Sequence, residues 1–253
     1  MRRVLTLLAI CFVMLEVPLL AQDDEEPVPP PHGHPQTKFG VAGGFTQNFL
    51  FLNLDPINQV LRNNNAADLG NGPITMLGGQ GYGYILLLPN VRVGGVGASG
   101  NISSLSLLGV TRREVDLSVG YGGVTIDYVL PVAGHLDLAF GVVLGGGSVN
   151  LKITRDNGSP KTWDAIWNQF KNNDSTASEF TKNLSGSFFV VQPSINVEYA
   201  LLRWLGVRVG ASYNGMVGGN WKVDGSYDFI GVPSEINGKG FMINGGIFLG
   251  FFY

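Results

Sequence analysis

The residues best suited to acid–base chemistry are histidines, and the chain has only three of them. His135 lies two positions before Asp137, so an imidazole and a carboxylate are close in sequence. Such a pair can activate a hydroxyl nucleophile. However, His135 falls in a short turn between two predicted strands, where a solvated side chain is the expectation. We therefore expect no catalytic residues and no enzymatic activity.

Two further patterns could hold a cofactor or a metal ion. Gly95, Gly97 and Gly100 form the GxGxxG pattern of nucleotide-binding loops, which requires a helix directly after it. Here the next residues continue a strand-like alternation, so these glycines are expected to shape a sheet. His32 and His34 lie in a proline-rich segment, where we expect them to be solvated. The sequence predicts neither a cofactor nor a metal site.

Five charged residues share the face of predicted strands that carries small and polar side chains. Buried opposite charges require partners. We expect an ion-pair cluster that closes one end of a narrow lumen, so that the protein is plugged; the alternative is that several of these side chains point into water. The five residues are Arg92, Asp127, Asp137, Glu198 and Arg208.

The elements that would position these residues are β-strands, because apolar residues alternate with small or polar ones through most of the chain. About eight such segments are recognisable, an even number that suits a closed antiparallel barrel. We expect the apolar face of every segment to meet lipid and the other face to line the lumen. The outward face is predicted to include Tyr82, Tyr84, Val115, Leu117, Val119 and Tyr121.

The connections between the segments favour a membrane barrel over a soluble one. Short turns on one side and long loops on the other are typical of outer-membrane barrels. Short connections are predicted at 89–90, 131–134 and 200–203, and long ones at 49–73, 156–184 and 215–239.

The last segment carries a pattern of polar residue, glycine and apolar residues that ends in aromatic residues: Asn244, Gly246, Leu249, Phe251 and Tyr253. This pattern resembles the signal by which the barrel-insertion machinery recognises outer-membrane proteins. Together with the segment count, it makes residues 38–253 similar to the small eight-stranded barrels of the OmpA transmembrane-domain and OmpX type. The resemblance implies an all-β fold, a closed antiparallel transmembrane barrel, with short periplasmic turns and long extracellular loops.

The amino-terminal residues predict export. Arg2 and Arg3 precede an apolar run, so residues 1–21 are expected to be a signal peptide and residues 22–37 an acidic, proline-rich periplasmic tether. The single cysteine, Cys11, lies inside that run, which disfavours a lipoprotein. Of the 253 residues, 14% are charged and 37 are glycine, with a net charge of −3, so nucleic-acid binding is not expected.

Two of the predicted loops contain helical patterns. The first, from Asp55 to Leu61, has proline in its first turn and an apolar stripe. The second has an aromatic stripe that could bind a partner, contact lipid headgroups or cap the barrel mouth, and we expect it to pack on the barrel rim. The stripe consists of Trp163, Ile166, Trp167 and Phe170.

Three functions fit these observations. The first is a non-enzymatic outer-membrane barrel with a closed lumen and a structural or surface-interaction role, whose partners are membrane lipid, the insertion machinery and a surface partner bound through the loops. The second is a narrow pore or small-solute transporter. The third is a secreted soluble barrel that binds a small hydrophobic ligand.

Overall fold

The computed structural model describes residues 40–158, 162–164, 166–167, 179–233 and 235–252. The strands are β1 (Gly40–Leu52), β2 (Ile74–Tyr84), β3 (Val91–Leu108), β4 (Thr111–Ala133), β5 (Leu136–Asp156), β6 (Phe180–Leu202), β7 (Leu205–Val223), β8 (Tyr227–Asp228) and β9 (Gly240–Phe252). A helix, α1 (Asp55–Asn63), follows β1. The predicted signal peptide (1–21) and tether (22–37) lie outside the described residues and stay predictions.

Eight of these strands close into a ring. Each strand from β1 to β7 pairs antiparallel with the next one in sequence, and β9 pairs with both β7 and β1. The short β8 pairs with β7 beyond the ring. The prediction of a closed antiparallel barrel with eight strands is confirmed.

The two ends of the barrel differ. At the turn end, the connections are residues 85–90, 134–135 and 203–204; at the loop end, they are 53–73, 109–110, 157–179 and 224–239. Strands β4 and β6 have 23 residues each, against 13 in β1, so one side of the barrel is taller at the loop end. The long connections predicted at 156–184 and 215–239 are therefore partly strand.

The outer wall of the turn-end half carries an apolar belt. Its side chains alternate with buried ones along β1, β4, β5, β6, β7 and β9, which confirms the outward assignment for most of the segments, whereas the outward positions of this half of β2 are Gly79, Gly81 and Gly83. Val209, Ile247 and Leu249 are each more than half exposed. Other belt residues are Val41, Phe45, Val124, Ile126, Phe140, Phe189, Ile195, Val197, Tyr213 and Phe251.

In the loop-end half of the taller side, the two faces are exchanged: the apolar residues face the lumen and the polar residues face outward. On β4, Val115 and Leu117 are buried inside the barrel, and they alternate with Glu114 and Asp116 on the outer face. The prediction that Val115, Leu117, Val119 and Tyr121 face outward is thus wrong. Beyond the belt the wall meets water, so apolar residues stabilise the barrel by facing inward, as in a soluble barrel.

The outward assignment of Tyr82 and Tyr84 on β2 is also wrong. Tyr82 is 6% exposed and faces the lumen, while Gly81 and Gly83 occupy the alternate positions. The reason is electrostatic, because the Tyr82 ring lies against a buried guanidinium, that of Arg92.

Helix α1 covers the barrel mouth at the loop end, and it begins where the sequence predicted a helix. Ile57 and Leu61 are buried against a cluster of apolar side chains inside the barrel. The buried Asn58 fixes the loop after the helix, because its Nδ2 donates to the Leu69 carbonyl oxygen at 3.1 Å and its Oδ1 accepts from the Leu69 N–H at 2.9 Å. Among the helices of the described residues, none has the length and hydropathy that a transmembrane helix requires.

Candidate functional site: the layered lumen

The lumen next to the turn end contains a cluster of charged side chains that we call the ionic floor: Arg92, Asp127, Glu198 and Arg208. Arg92 is fully buried; its Nε donates to Asp127 Oδ2 at 2.8 Å and its Nη1 to Glu198 Oε2 at 2.7 Å. Its Nη2 also donates to Glu198 Oε1. Arg92 therefore joins carboxylates from two other strands.

Arg208 completes the ionic floor from β7. Its Nε lies 2.9 Å from Glu198 Oε1, an ion-pair contact in which the N–H is not directed at the oxygen. Its Nη1 donates to Gln80 Oε1. The guanidinium carbon lies 4.2 Å from the centre of the Phe248 ring. The same carbon lies 5.2 Å from the centre of the Tyr82 ring, so Arg208 is held by one carboxylate, one amide and two aromatic rings.

The strand register explains why these charges meet. Arg92 is opposite Asp127 in the β3–β4 pair, and Glu198 is opposite Arg208 in the β6–β7 pair. Asp137, the fifth charged residue predicted for the cluster, is opposite Glu198 in the β5–β6 pair. Directly opposite residues on one face of a sheet have their side chains in contact distance.

Sequence reasoning missed three members of this site. Tyr82 lies under Arg92, with 4.0 Å between the guanidinium carbon and the ring centre, and Gln80 and Phe248 contact Arg208. The sequence did contain an indication of this placement. Gln80, Tyr82 and Tyr84 are alternate residues of β2 and share one face, and the polar Gln80 favours the lumen for that face.

Above the ionic floor lies a polar middle layer. Its members come from strands β1, β4, β6 and β7, and their side chains are nearly or fully buried. Gln192 Nε2 donates to Ser212 Oγ at 2.9 Å, and Asn214 Nδ2 donates to the Gly238 carbonyl oxygen at 2.7 Å. The layer consists of Thr46, Asn48, Thr125, Gln192, Asn196, Ser212 and Asn214.

The loop-end part of the lumen is filled by apolar side chains that we call the apolar cap. They form one contiguous cluster with the buried face of α1. Its largest fully buried members are Leu50, Leu69, Ile74, Met76, Leu117, Met216 and Met242. The predicted small and polar lumen is therefore wrong at this level, where the interior is packed like a soluble core.

The predicted insertion signal and His135 lie away from the ionic floor. The residues of the signal alternate between the inner and outer faces of β9. On β9, Asn244 and Gly246 belong to the inner row, and Leu249 and Phe251 are exposed on the outer face; Tyr253 lies outside the described residues. His135 lies in the turn after β4, and its ring is edge-on to Tyr199, with the ring centres 6.4 Å apart.

The loop stripe is exposed where the structure describes it. Trp163 and Trp167 contact each other with ring centres 5.7 Å apart, and Trp163 and Ile166 are 74% and 52% exposed. The expected packing on the barrel rim is thus wrong for Trp163 and Ile166. Phe170 lies outside the described residues.

The glycine pattern forms no nucleotide-binding loop in the part of the chain that is described, and His32 and His34 lie outside that part. Gly95, Gly97 and Gly100 lie within β3, with no helix after them. Among the described residues, no group of three His, Cys, Asp or Glu side chains could hold a metal ion.

A ring of eight antiparallel strands, an outward apolar belt and an ionic and polar lumen define the class: the chain has the fold of the small eight-stranded outer-membrane β-barrels. No protein-family model matches the chain, and no curated protein matches it.

Solved structures with a similar fold include Ail, the attachment invasion locus protein of Yersinia pestis, in complex with the heparin analogue sucrose octasulfate. That similarity has 8% identity and a TM-score of 0.43, and it covers 85% of this chain and 98% of Ail. OprG from Pseudomonas aeruginosa is 13% identical, with a TM-score of 0.38 and coverage of 87% and 98%. The N-terminal β-barrel domain of Pseudomonas aeruginosa OprF is 11% identical, with a TM-score of 0.35 and coverage of 84% and 97%.

Proposed function

We propose that this protein is a closed, non-enzymatic β-barrel of a bacterial outer membrane that holds a rigid extension outside the membrane for a structural or surface-interaction role. In this proposal, export depends on the amino-terminal signal peptide, and the insertion machinery recognises the last strand. The observation that carries the proposal is the change in wall chemistry along the barrel axis.

The apolar belt has the height of a bilayer core. On β1 the outward row runs from Val41 to Phe51, with Gln47 as its one polar residue. Ten steps of about 3.3 Å in a strand tilted by about 45° correspond to a height of about 23 Å, close to the roughly 25 Å of outer-membrane belts. Exposed side chains such as Ile247 and Leu249 would be unfavourable in water, and lipid removes that cost.

The extension beyond the belt supports a role outside the membrane. There the outer wall is polar, at Glu114, Asp116 and Lys152, and the interior is the apolar cap. The extension ends in apolar side chains that nothing in the described part of the chain covers. Val110 is 81% exposed at the tip of the β3–β4 hairpin, and Leu107 is 70% exposed beside it. Exposed apolar tips of this kind favour contact with a partner.

The closed lumen supports a structural role over transport. The ionic floor and the apolar cap each fill the interior at their own level, so a solute would have to displace buried charges and then a packed core. We expect the purified protein in planar bilayers to show no steady conductance. Steady single-channel currents would favour the narrow-pore alternative instead.

Cysteine labelling tests the location and the orientation together. The only native cysteine, Cys11, lies within the predicted signal peptide. Val110→Cys, at the loop end, should react with a membrane-impermeant maleimide on intact cells. Leu87→Cys is the matched control, because it is 90% exposed in a turn at the opposite end and should react only after lysis. Equal labelling of both, or recovery of the protein in the soluble fraction without detergent, would contradict the proposal.

A further inference from the structure

One polar side chain interrupts the apolar belt on the outer wall of β1. Gln47 lies near the middle of the outward row that runs from Val41 to Phe51, and its side chain is exposed. Its amide forms no hydrogen bond within the described part of the chain. In the proposed membrane location, the edges of the belt are about 10 Å away, too far for this side chain to reach the headgroups. An amide in lipid is costly without a partner, and a polar residue at this depth indicates a function.

The neighbours of Gln47 on the outer wall do not supply that partner. The residues directly opposite are Leu77 on β2 and Gly245 on β9, and neither has a polar side chain. Gly245 leaves a gap in the wall beside the amide. Within 4 Å, an added Cβ at this position would meet only the Arg208 carbonyl oxygen, at 3.8 Å. The packing of the barrel itself therefore does not require glycine there.

The strand register gives the relative heights of the residues around Gln47. A row of paired residues begins at Val209 on β7 and passes through Gly245 to Gln47. Followed through β2 to β6, the row returns to β7 at Asn220, much nearer the loop end. Paired rows therefore rise from β9 through β1 to β2, and β1 leans toward β9 as it rises. Phe45 and Gly245 thus both lie below Gln47, nearer the turn end, with Phe45 on the β2 side and Gly245 on the β9 side.

This surface is complementary to a second copy of itself. A two-fold axis through Gln47 along the membrane normal exchanges the β2 side with the β9 side and keeps both copies at the same depth. The Phe45 ring, which is 55% exposed, then meets the Gly245 gap of the other copy. The two Gln47 amides meet at the axis, where each can donate through Nε2 and accept through Oε1. Small residues that allow close approach and polar side chains that bond across the contact favour association within membranes.

We propose that the protein forms a two-fold symmetric dimer in the membrane through the outer face of β9, β1 and β2, with the Gln47 side chains hydrogen-bonded to each other at its centre. A second copy is favoured over a foreign partner because symmetry alone brings an identical amide to the same depth. This inference rests on the proposed membrane location and is independent of the role of the loops.

Crosslinking in phospholipid vesicles tests the dimer. Ile247 is opposite Phe45 on β9, so it lies below Gln47 and close to the proposed axis, and it is 57% exposed. A short bifunctional maleimide should therefore join two copies of Ile247→Cys at a large excess of lipid. Leu144→Cys is the control, because it is 41% exposed on β5, across the ring from β1, and should not be joined.

Two further substitutions in Ile247→Cys remove the contacts at the centre of the dimer. Gln47→Leu removes the amide, and Gly245→Val fills the gap. Each should lower the crosslinked fraction by about tenfold, while the mobility of the unheated protein on gels shows that the barrel remains folded. The matched controls on β5 are Asn150→Leu and Gly146→Val, both in the outward row, and they should leave crosslinking unchanged. An added Cβ at Gly146 has no atom within 4 Å.

Three results would overturn the dimer. Equal crosslinking of Ile247→Cys and Leu144→Cys would mean random collisions, and a dimer that persists in Gln47→Leu would mean that the amide does not hold it. A crosslink from Ile247→Cys to a different protein in cell membranes, without a homodimer, would favour a foreign partner. An inserted, folded monomer contradicts this inference alone, whereas failure of the folded protein to insert into vesicles would contradict the proposed function as well.

Discussion

Arg92 and Glu198 lie three strands apart in the ring and 106 residues apart in sequence, yet Arg92 Nη1 donates to Glu198 Oε2 at 2.7 Å inside the barrel. Arg92 also bonds Asp127 on the neighbouring strand. The lumen at this level is thus spanned by one guanidinium that links β3, β4 and β6. A contact of this kind ties distant strands together only after the ring has closed.

Removing the central carboxylate should strongly destabilise the barrel. Glu198→Gln keeps the shape but leaves Arg92 and Arg208 with one carboxylate, Asp127, among their buried contacts. Breaking a buried ion pair by removing one partner costs about 3 to 5 kcal/mol, and we expect the free energy of unfolding to fall by about 3 kcal/mol in detergent. Asp224→Asn, which removes the carboxylate of an exposed pair with Lys182, is the control and should have little effect. Equal stability of Glu198→Gln and wild type would show that the ionic floor does not hold the strands together.

The change in wall chemistry along β4 can be tested with one substitution on each side of it. Ile126 and Ser118 lie in the same outward row, Ile126 in the apolar belt and Ser118 beyond it. An arginine on the lipid face costs about 2 to 4 kcal/mol at the middle of the bilayer and little near its edge. Ile126→Arg should therefore reduce the amount of folded barrel in membranes, as measured by its gel mobility without heating, whereas Ser118→Arg should leave it unchanged. If Ser118→Arg reduced the amount of folded barrel and Ile126→Arg did not, the assignment of the apolar belt to the turn-end half would be wrong.

The loop after α1 should depend on the Asn58 side chain. Asn58→Ala leaves the buried N–H and carbonyl oxygen of Leu69 without partners, at a cost of about 1 to 3 kcal/mol for each unpaired group. The Leu69 amide should then exchange with deuterium much faster than in the wild type. Asn64→Ala is the matched control, because Asn64 is exposed and its side chain bonds only the Val60 carbonyl among the described contacts. Unchanged protection of Leu69 in Asn58→Ala would mean that other contacts hold the loop.

The exposed hairpin between β7 and β8 should show a shifted carboxyl titration. The hydrogen bond from Lys182 Nζ, at 2.6 Å, followed by that from the Asn183 N–H, lowers the pKa of Asp224 below its ordinary value. A carboxyl with a lowered folded-state pKa stabilises the fold above the unfolded pKa of about 3.9, and this contribution is lost as the pH falls through the folded pKa.

A carbon-13 NMR titration of the Asp224 carboxyl measures this effect. Lys182→Met should raise the Asp224 pKa, and added salt should do the same, because the pair is in contact with solvent. Lys222→Met removes a nearby lysine that does not bond Asp224 and should leave the pKa unchanged. An Asp224 pKa that is the same in Lys182→Met and wild type would exclude Lys182 as the cause.

Much of the architecture could be predicted from local patterns. The alternation of Ile195 with Asn196, or of Val209 with Arg208, is a property of neighbouring residues, and it survives in the strands because a β-strand turns its side chains to opposite faces. The inward placement of Arg92, Asp127, Glu198 and Arg208 followed from the same rule. The contact of Arg92 with the Tyr82 ring did not, because it depends on which residues of β2 and β3 stand opposite each other.

The assignment of β4 illustrates where local reasoning is insufficient. Val115 faces the lumen and Val124 faces outward, because they stand at odd and even positions of the same strand. The apolar residues of β4 change from the inner face to the outer face at the adjacent glycines Gly122 and Gly123. Alternation identifies two faces but not which of them meets lipid, and that depends on the height of each residue relative to the belt. Height in turn depends on strand tilt and on the register of all eight strands.

By itself, the sequence determined the number of strands, the closed antiparallel class and the positions of most charged lumen residues, since these follow from a period of two and from the cost of placing charge in lipid. Only the tertiary structure decided that the lumen is divided into an ionic floor, a polar middle layer and an apolar cap. The physical reason is that each layer is assembled from residues of several strands, and the solvent on the other side of the wall changes from lipid to water along the barrel axis.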